Sequence, residues 1–178
     1  MMTIDNTSIS DSALQSDTMS ALSQVDKPSI DQEVAAKLRE LFRNVDEEIF
    51  KDGMTSKFST ALCGIISEYG IVAIKQLEKM TLVRDAPVDM AEEVLRQVGH
   101  IKDTITHDAR LTLLERALES PEMRIRDGVA IGIDYMEDPR ALPNLERALE
   151  HETYEWLIQY IQDVIVRMRM HNEVSEDH

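Results

Sequence analysis

Cysteine occurs once, at Cys63, so the chain cannot close a disulfide on itself. Its apolar neighbours in FSTALCGIISEYG predict a buried thiol that packs as a small hydrophobe. Aromatic residues make up only 4% of the sequence, against 10 methionines, which favours helix packed on helix over a β-sandwich. No apolar run approaches the roughly 18 residues a membrane-spanning helix needs. The opening MMTIDNTSISDSALQSDTMS has neither the basic start nor the apolar centre of a secretory signal, so a cytoplasmic location is expected. Basic residues are outnumbered, 19 against 34 acids, and the net charge of −15 argues against a broad phosphate-binding surface and hence against nucleic acid as a partner.

Catalytic signatures are missing too. The histidines His100, His107, His151, His171 and His178 form no HExxH pair and no Cys/His cluster. Neither a glycine-rich phosphate loop nor a GxSxG elbow occurs. The expectation is therefore a non-catalytic protein with no metal, no cofactor and no small-molecule ligand.

What is present is helical periodicity. Residues 1–28 are rich in Ser, Thr and Asp without a sustained period, which reads as a disordered acidic tail, and 171–178 read as a shorter one. Between them, 29–170 read as one all-α domain of about eight helices. Ser29 and Gln32 form a capping box ahead of a stripe of Val34, Leu38, Leu41, Phe42, Val45 and Ile49, which Asp52-Gly53 ends. A second helix carries Phe58, Leu62, Ile65, Ile66 and Tyr69 and closes or kinks at Gly70; a third carries Ile74, Leu77 and Met80. Pro87 suits the first turn of a fourth, with Gly99 as its C-cap. Leu111, Leu114 and Leu118 mark a fifth, and Ser120-Pro121-Glu122 reads as N-cap, N1 and N2 of a sixth through Ile125, Val129, Ile133 and Met136. Pro139 begins a seventh with Leu142, Leu145 and Leu149, and Leu157, Ile161, Val164 and Met168 mark the last.

The chain also repeats itself. LERALE runs from Leu114 to Glu119 and returns unchanged from Leu145 to Glu150, 31 residues on. A weaker copy precedes both in IKQLEKMTLVRDAPVDMAEEVLRQVGHI. Two helices per period of this length are the mark of stacked helical hairpins, each burying the face its neighbour cannot bury alone.

The stretch RIRDGVAIGIDYMEDPRALPNLERAL resembles a HEAT-type repeat, in particular the short bacterial kind of phycobilisome lyase subunits. Arg126, Gly128, Ala130 and Gly132 hold the places of its second helix, and Asp138-Pro139-Arg140-Ala141-Leu142-Pro143 those of its turn. The likeness is closest over 105–152 and extends over 71–168; the last unit, with WLIQYIQDVI, lacks the small residues and suits a closing cap. The resemblance implies an α-solenoid of about four hairpins and a protein-binding role. It also implies an alternative, an accessory subunit or chaperone for attaching a tetrapyrrole (bilin) to a phycobiliprotein.

Gly128 and Gly132 sit four apart on one helix face, and each costs about 1 kcal/mol there relative to Ala, so a close backbone approach is expected to compensate them. Arg110, Arg116, Arg124, Arg126, Arg140 and Arg147 gather in the repeats. They suit either pairing with acids between repeats or a basic inner groove for an acidic peptide of another protein, in which Arg124, Arg126, Arg140 and Arg147 are the candidates. Trp156 and Tyr160, aromatic types common at binding hot spots, are the second candidate surface. The resulting expectation is an adaptor or regulator that presents a helical groove to a partner protein.

Overall fold

The computed structural model describes residues 28–43, 56–83 and 86–176, with side chains through residue 171. These residues form eight α-helices and no strand: α1 Ile30–Arg43, α2 Lys57–Tyr69, α3 Ile71–Leu82, α4 Val88–His100, α5 His107–Ala117, α6 Met123–Met136, α7 Leu142–His151 and α8 Glu155–Glu176. A single 3-10 turn, Pro139–Ala141, leads into α7.

Local chemistry sets the starts and stops. The Ser29 hydroxyl accepts from the Gln32 amide at 3.3 Å while the Gln32 side chain accepts from the Ser29 amide at 3.0 Å, the expected capping box. Ser56 and Ser59 build a second one at α2. Gly70 breaks α2 from α3 with φ +55°, a conformation that disfavours any side chain with a Cβ. Asp138 caps the 3-10 turn by accepting from the Arg140 amide at 2.9 Å.

The predicted stripes supply one continuous core, running from Val34 and Leu38 through Leu62, Leu77, Leu95, Leu114 and Ile133 to Leu145, Leu157 and Ile161. Each copy of LERALE turns its first leucine, Leu114 or Leu145, fully inward. At the N-terminal end, Gln76 donates to Asp31 at 2.7 Å and the Tyr69 hydroxyl to Glu33 at 2.7 Å, tying α1 to α3 and α2. In space α1 packs on α2 and α3, α3 on α4 and α5, and α7 on α8. Alternate helices α2, α4, α6 and α8 meet in that order, and α4 against α6 is the closest pair.

Three glycines make that closeness possible. A Cβ on Gly132 would lie 2.5 Å from the Leu95 carbonyl oxygen, and one on Gly128 would lie 2.5 Å from that of Glu92. A Cβ on Gly99 would overlap the Gly132 carbonyl outright. Backbone therefore lies on backbone, which compensates the two mid-helix glycines of α6.

Several expectations are corrected. Gly99 is no C-cap: α4 continues to His100, and the missing Cβ serves the contact with α6. The sixth helix starts later than Ser120-Pro121-Glu122 suggests, with Glu122 at the N-cap; the Ser120 hydroxyl instead accepts from the Glu122 amide at 3.2 Å and shapes the turn before it. Pro87 is the N-cap of α4, one position earlier than expected. Cys63 is exposed, because Leu62 and Ile66 take the inward face of α2 and a neighbouring position points about 100° away. Partial burial by its surroundings nevertheless pushes its thiol above the ordinary range, so the thiolate is disfavoured. Finally, α8 runs to Glu176, past the boundary expected at 170. Residues 1–27 of the acidic tail expected over 1–28, and the positions Val45, Ile49, Asp52 and Gly53, lie outside the described residues.

Candidate functional site

The candidate arginines sit on three different surfaces. Arg126, in the first turn of α6, donates from Nε and Nη2 to the two oxygens of Glu152 at 2.7 and 2.9 Å, and from Nη1 to the Ser120 carbonyl at 2.9 Å. The Glu152 side chain is only 1% exposed and also accepts from the amides of Thr153 and Tyr154. This fork staples the turn between α5 and α6 to the turn between α7 and α8. The guanidinium holds Glu152 below the usual carboxylate range, and the carboxylate holds Arg126 above its own.

Arg124 lies on the other side of the same helix turn, pairing with Asp89 and with Glu92 of α4. Arg140 donates to Asp138 at 2.6 Å and to Asp108 at 2.9 Å, on the turn into α7. The buried Asp138 carboxylate also lies 2.7 Å from His107 Nε2, so the first turn of α5 and the 3-10 turn before α7 meet on it. Although burial disfavours its charged form, the bonds from Arg140 and His107 win and hold Asp138 far below the usual range. Arg147 is different: its one described partner is the neutral side chain of Asn144, at 2.9 Å.

These carboxylates should make the protein acid-sensitive. Asp138 and Glu152 both have folded-state pKa values below their unfolded ones, so their contribution to stability is complete above pH ~4 and is lost as the pH falls through the lowered values. The urea midpoint should fall between pH 5 and pH 3, roughly one unit either side of the unfolded carboxylate range. Asp138→Asn should be less stable at pH 7 and show a shallower fall.

The aromatic candidates also separate. Tyr160 is half-buried, its hydroxyl donating to Asp134 at 3.2 Å while Arg167 lies 5.9 Å from its ring centre. Burial and the Asp134 charge push its phenol well above the ordinary range. Trp156 stays 49% exposed, with Tyr154 beside it at 46%. Tyr160 thus belongs to the packing of α8 on α6, and Trp156 to the surface.

Residues of α3 to α7 line a groove that helical periodicity could not reveal. One hollow of about 610 Å³ has an apolar floor that includes Leu82, Val88 and Ile125. A second, of about 410 Å³, has Leu118, Ala148, Arg126 and Arg147 in its wall. The two share Glu115, Glu119, Ser120 and Asn144, so they adjoin. The volumes are of the order of ordinary ligand clefts. Arg126 and Arg147 are the candidates the groove contains; Arg124, Arg140, Trp156 and Tyr160 are not in its lining.

The chain matches no family model, no curated protein and no solved structure at a significant level. The site is therefore read from its own chemistry. Among the described residues no group of three or more His, Cys, Asp or Glu is placed to hold a metal ion. No described helix is long and apolar enough to cross a membrane. The signal in the sequence that did reach the groove is LERALE, whose first copy supplies Glu115 and Glu119 to its shared segment.

Proposed function

We propose that the protein is a non-catalytic adaptor or regulator built as a HEAT-like α-solenoid of four hairpins, α1–α2, α3–α4, α5–α6 and α7–α8, whose inter-hairpin groove receives a partner protein. The observation that carries this reading is the groove itself, which passes from one hairpin junction to the next through shared residues. A stack of equivalent units is supported by the spacing of the long-range bonds. His107 with Asp138, Arg140 with Asp108, Arg124 with Glu92, Arg167 with Asp134, and Lys102 with the Tyr135 carbonyl join residues 31 to 33 apart, close to the sequence period. Repeats that touch only their neighbours would produce this spacing and would leave a cleft at each junction.

Most of the arginines are already occupied, which turns them from contact residues into fasteners of the stack. Arg147, whose described partner is the neutral Asn144 side chain, is the exception among these candidates. Capture from host lysate should compare the wild type with Asn144→Trp, which fills the shared part of the groove, and with Trp156→Ser at the chain's other candidate surface. A partner lost with Asn144→Trp but kept with Trp156→Ser, both variants remaining helical by circular dichroism, is the expected result. The opposite pattern would move the site to α8.

A further inference from the structure

The groove's charges can be sorted into those that are satisfied and those that are not. Arg116 pairs with Glu78 and Arg126 with the buried Glu152, so two of the groove's three arginines are neutralised within the protein. Glu115 and Glu119, which line both hollows, make no side-chain hydrogen bond or ion pair with the described residues. Both come from the first LERALE. In the second copy the equivalent of Glu119 is Glu150, exposed on α7 and likewise without such a bond. Repetition has therefore set carboxylates one period apart on α5 and α7, while the leucines of the same motif hold the core.

The apolar floor beneath them demands more than a point charge. Leu82, Val88 and Ile125 offer the apolar surface. The chain as a whole carries a net charge of −15, which attracts cations over long range. Each feature favours a partner that is positive and apolar together.

We infer that the groove takes a basic amphipathic segment of its partner, apolar side chains entering the floor between α3, α4 and α6 and Lys or Arg side chains meeting Glu115 and Glu119. This rests on the proposed protein-binding groove and specifies its occupant. It departs from the acidic peptide that the basic-groove alternative implied, because the arginines behind that alternative are largely paired within the protein.

The test is fluorescence anisotropy with two labelled peptides of the same leucine pattern at helical spacing, one with lysine and one with glutamate at the remaining positions. The lysine peptide should bind at least tenfold tighter than the glutamate peptide. Glu115→Gln/Glu119→Gln should weaken it at least tenfold, whereas Glu40→Gln/Glu137→Gln, which removes the same charge elsewhere, should change it less than twofold. Equal losses in both double variants would reduce the effect to net charge and overturn the inference. A tighter glutamate peptide that is displaced by Asn144→Trp would overturn the inference and leave the groove reading standing. Binding of either peptide that ignores Asn144→Trp would place it outside the groove, and both readings would fall.

Discussion

Gly99→Ala should unfold the protein at temperatures where the wild type is fully native. The added methyl would overlap the Gly132 carbonyl, which is backbone and cannot swing aside as a side chain does. Overpacking a core side chain costs about 1–3 kcal/mol, and a clash between two helix backbones belongs at or above the top of that range. The α4–α6 pair would have to separate, and with it the contacts of Leu95, Val98 and Ile133 in the middle of the core. Gly132→Ala, with its Cβ 2.5 Å from the Leu95 carbonyl oxygen, should behave alike. Gly64→Ala is the internal control, because that position in α2 faces open space. It should gain about 0.5–1 kcal/mol from helix propensity alone. Thermal melts of the three variants check the sign as well as the size; a Gly99→Ala melt within about one degree of wild type, below the roughly 2–4 °C that a 1 kcal/mol change produces in a chain of this size, would mean the two helices are not in backbone contact.

The second large effect is expected at Arg110. Its side chain is 0% exposed, yet no carboxylate bonds it directly. Nε donates to the Thr106 hydroxyl at 3.1 Å, Nη1 to the Val98 carbonyl at 2.9 Å and Nη2 to the Asp103 carbonyl at 2.6 Å. Val98 lies in the last turn of α4, whose carbonyls have no partner further along the helix, so the guanidinium caps α4 from the first turn of α5. The Asp103 carboxylate, which accepts from the Ile105 and Thr106 amides and from the Thr106 hydroxyl, fixes the same loop. Burial pulls the Arg110 charge in the disfavoured direction, and the negative Asp103 nearby offsets part of that. Arg110→Ala should cost about 3–5 kcal/mol, since it orphans buried acceptors and leaves a cavity. Arg110→Lys should recover little, because one ammonium cannot span three acceptors held in a guanidinium's fork. Chemical denaturation of both variants gives the answer, and a lysine variant as stable as wild type would contradict the capping role.

Some of this was legible in the sequence and some was not, for physical reasons that differ by residue. Ser29 with Gln32 and Gly70 were readable because caps and left-handed turns act within a few residues. Gly128 and Gly132 were readable because two glycines inside one helix demand a reason. Gly99 was misread because a glycine near a helix end suits either a C-cap or a close contact, and only the neighbour α6 decides. Cys63 was misread because Leu62 and Cys63 are both apolar, while one helix face can hold only one of two successive positions. The bond of Arg126 to Glu152 spans 26 residues and depends on where two turns meet, which periodicity does not encode. For the same reason the sequence left both pairing between repeats and a basic groove open for the arginines, and the folded chain pairs most of them with its own acids.

The most direct test of the groove as the binding site is hydrogen exchange, comparing the protein free and bound to the partner it captures. The account predicts slowed exchange in α5, in α7 and in the turn over 118–122, with the first turn of α4 protected to a lesser degree. Slowing confined to the outer face of α8, around the exposed Trp156, Val166 and Met170, would contradict it.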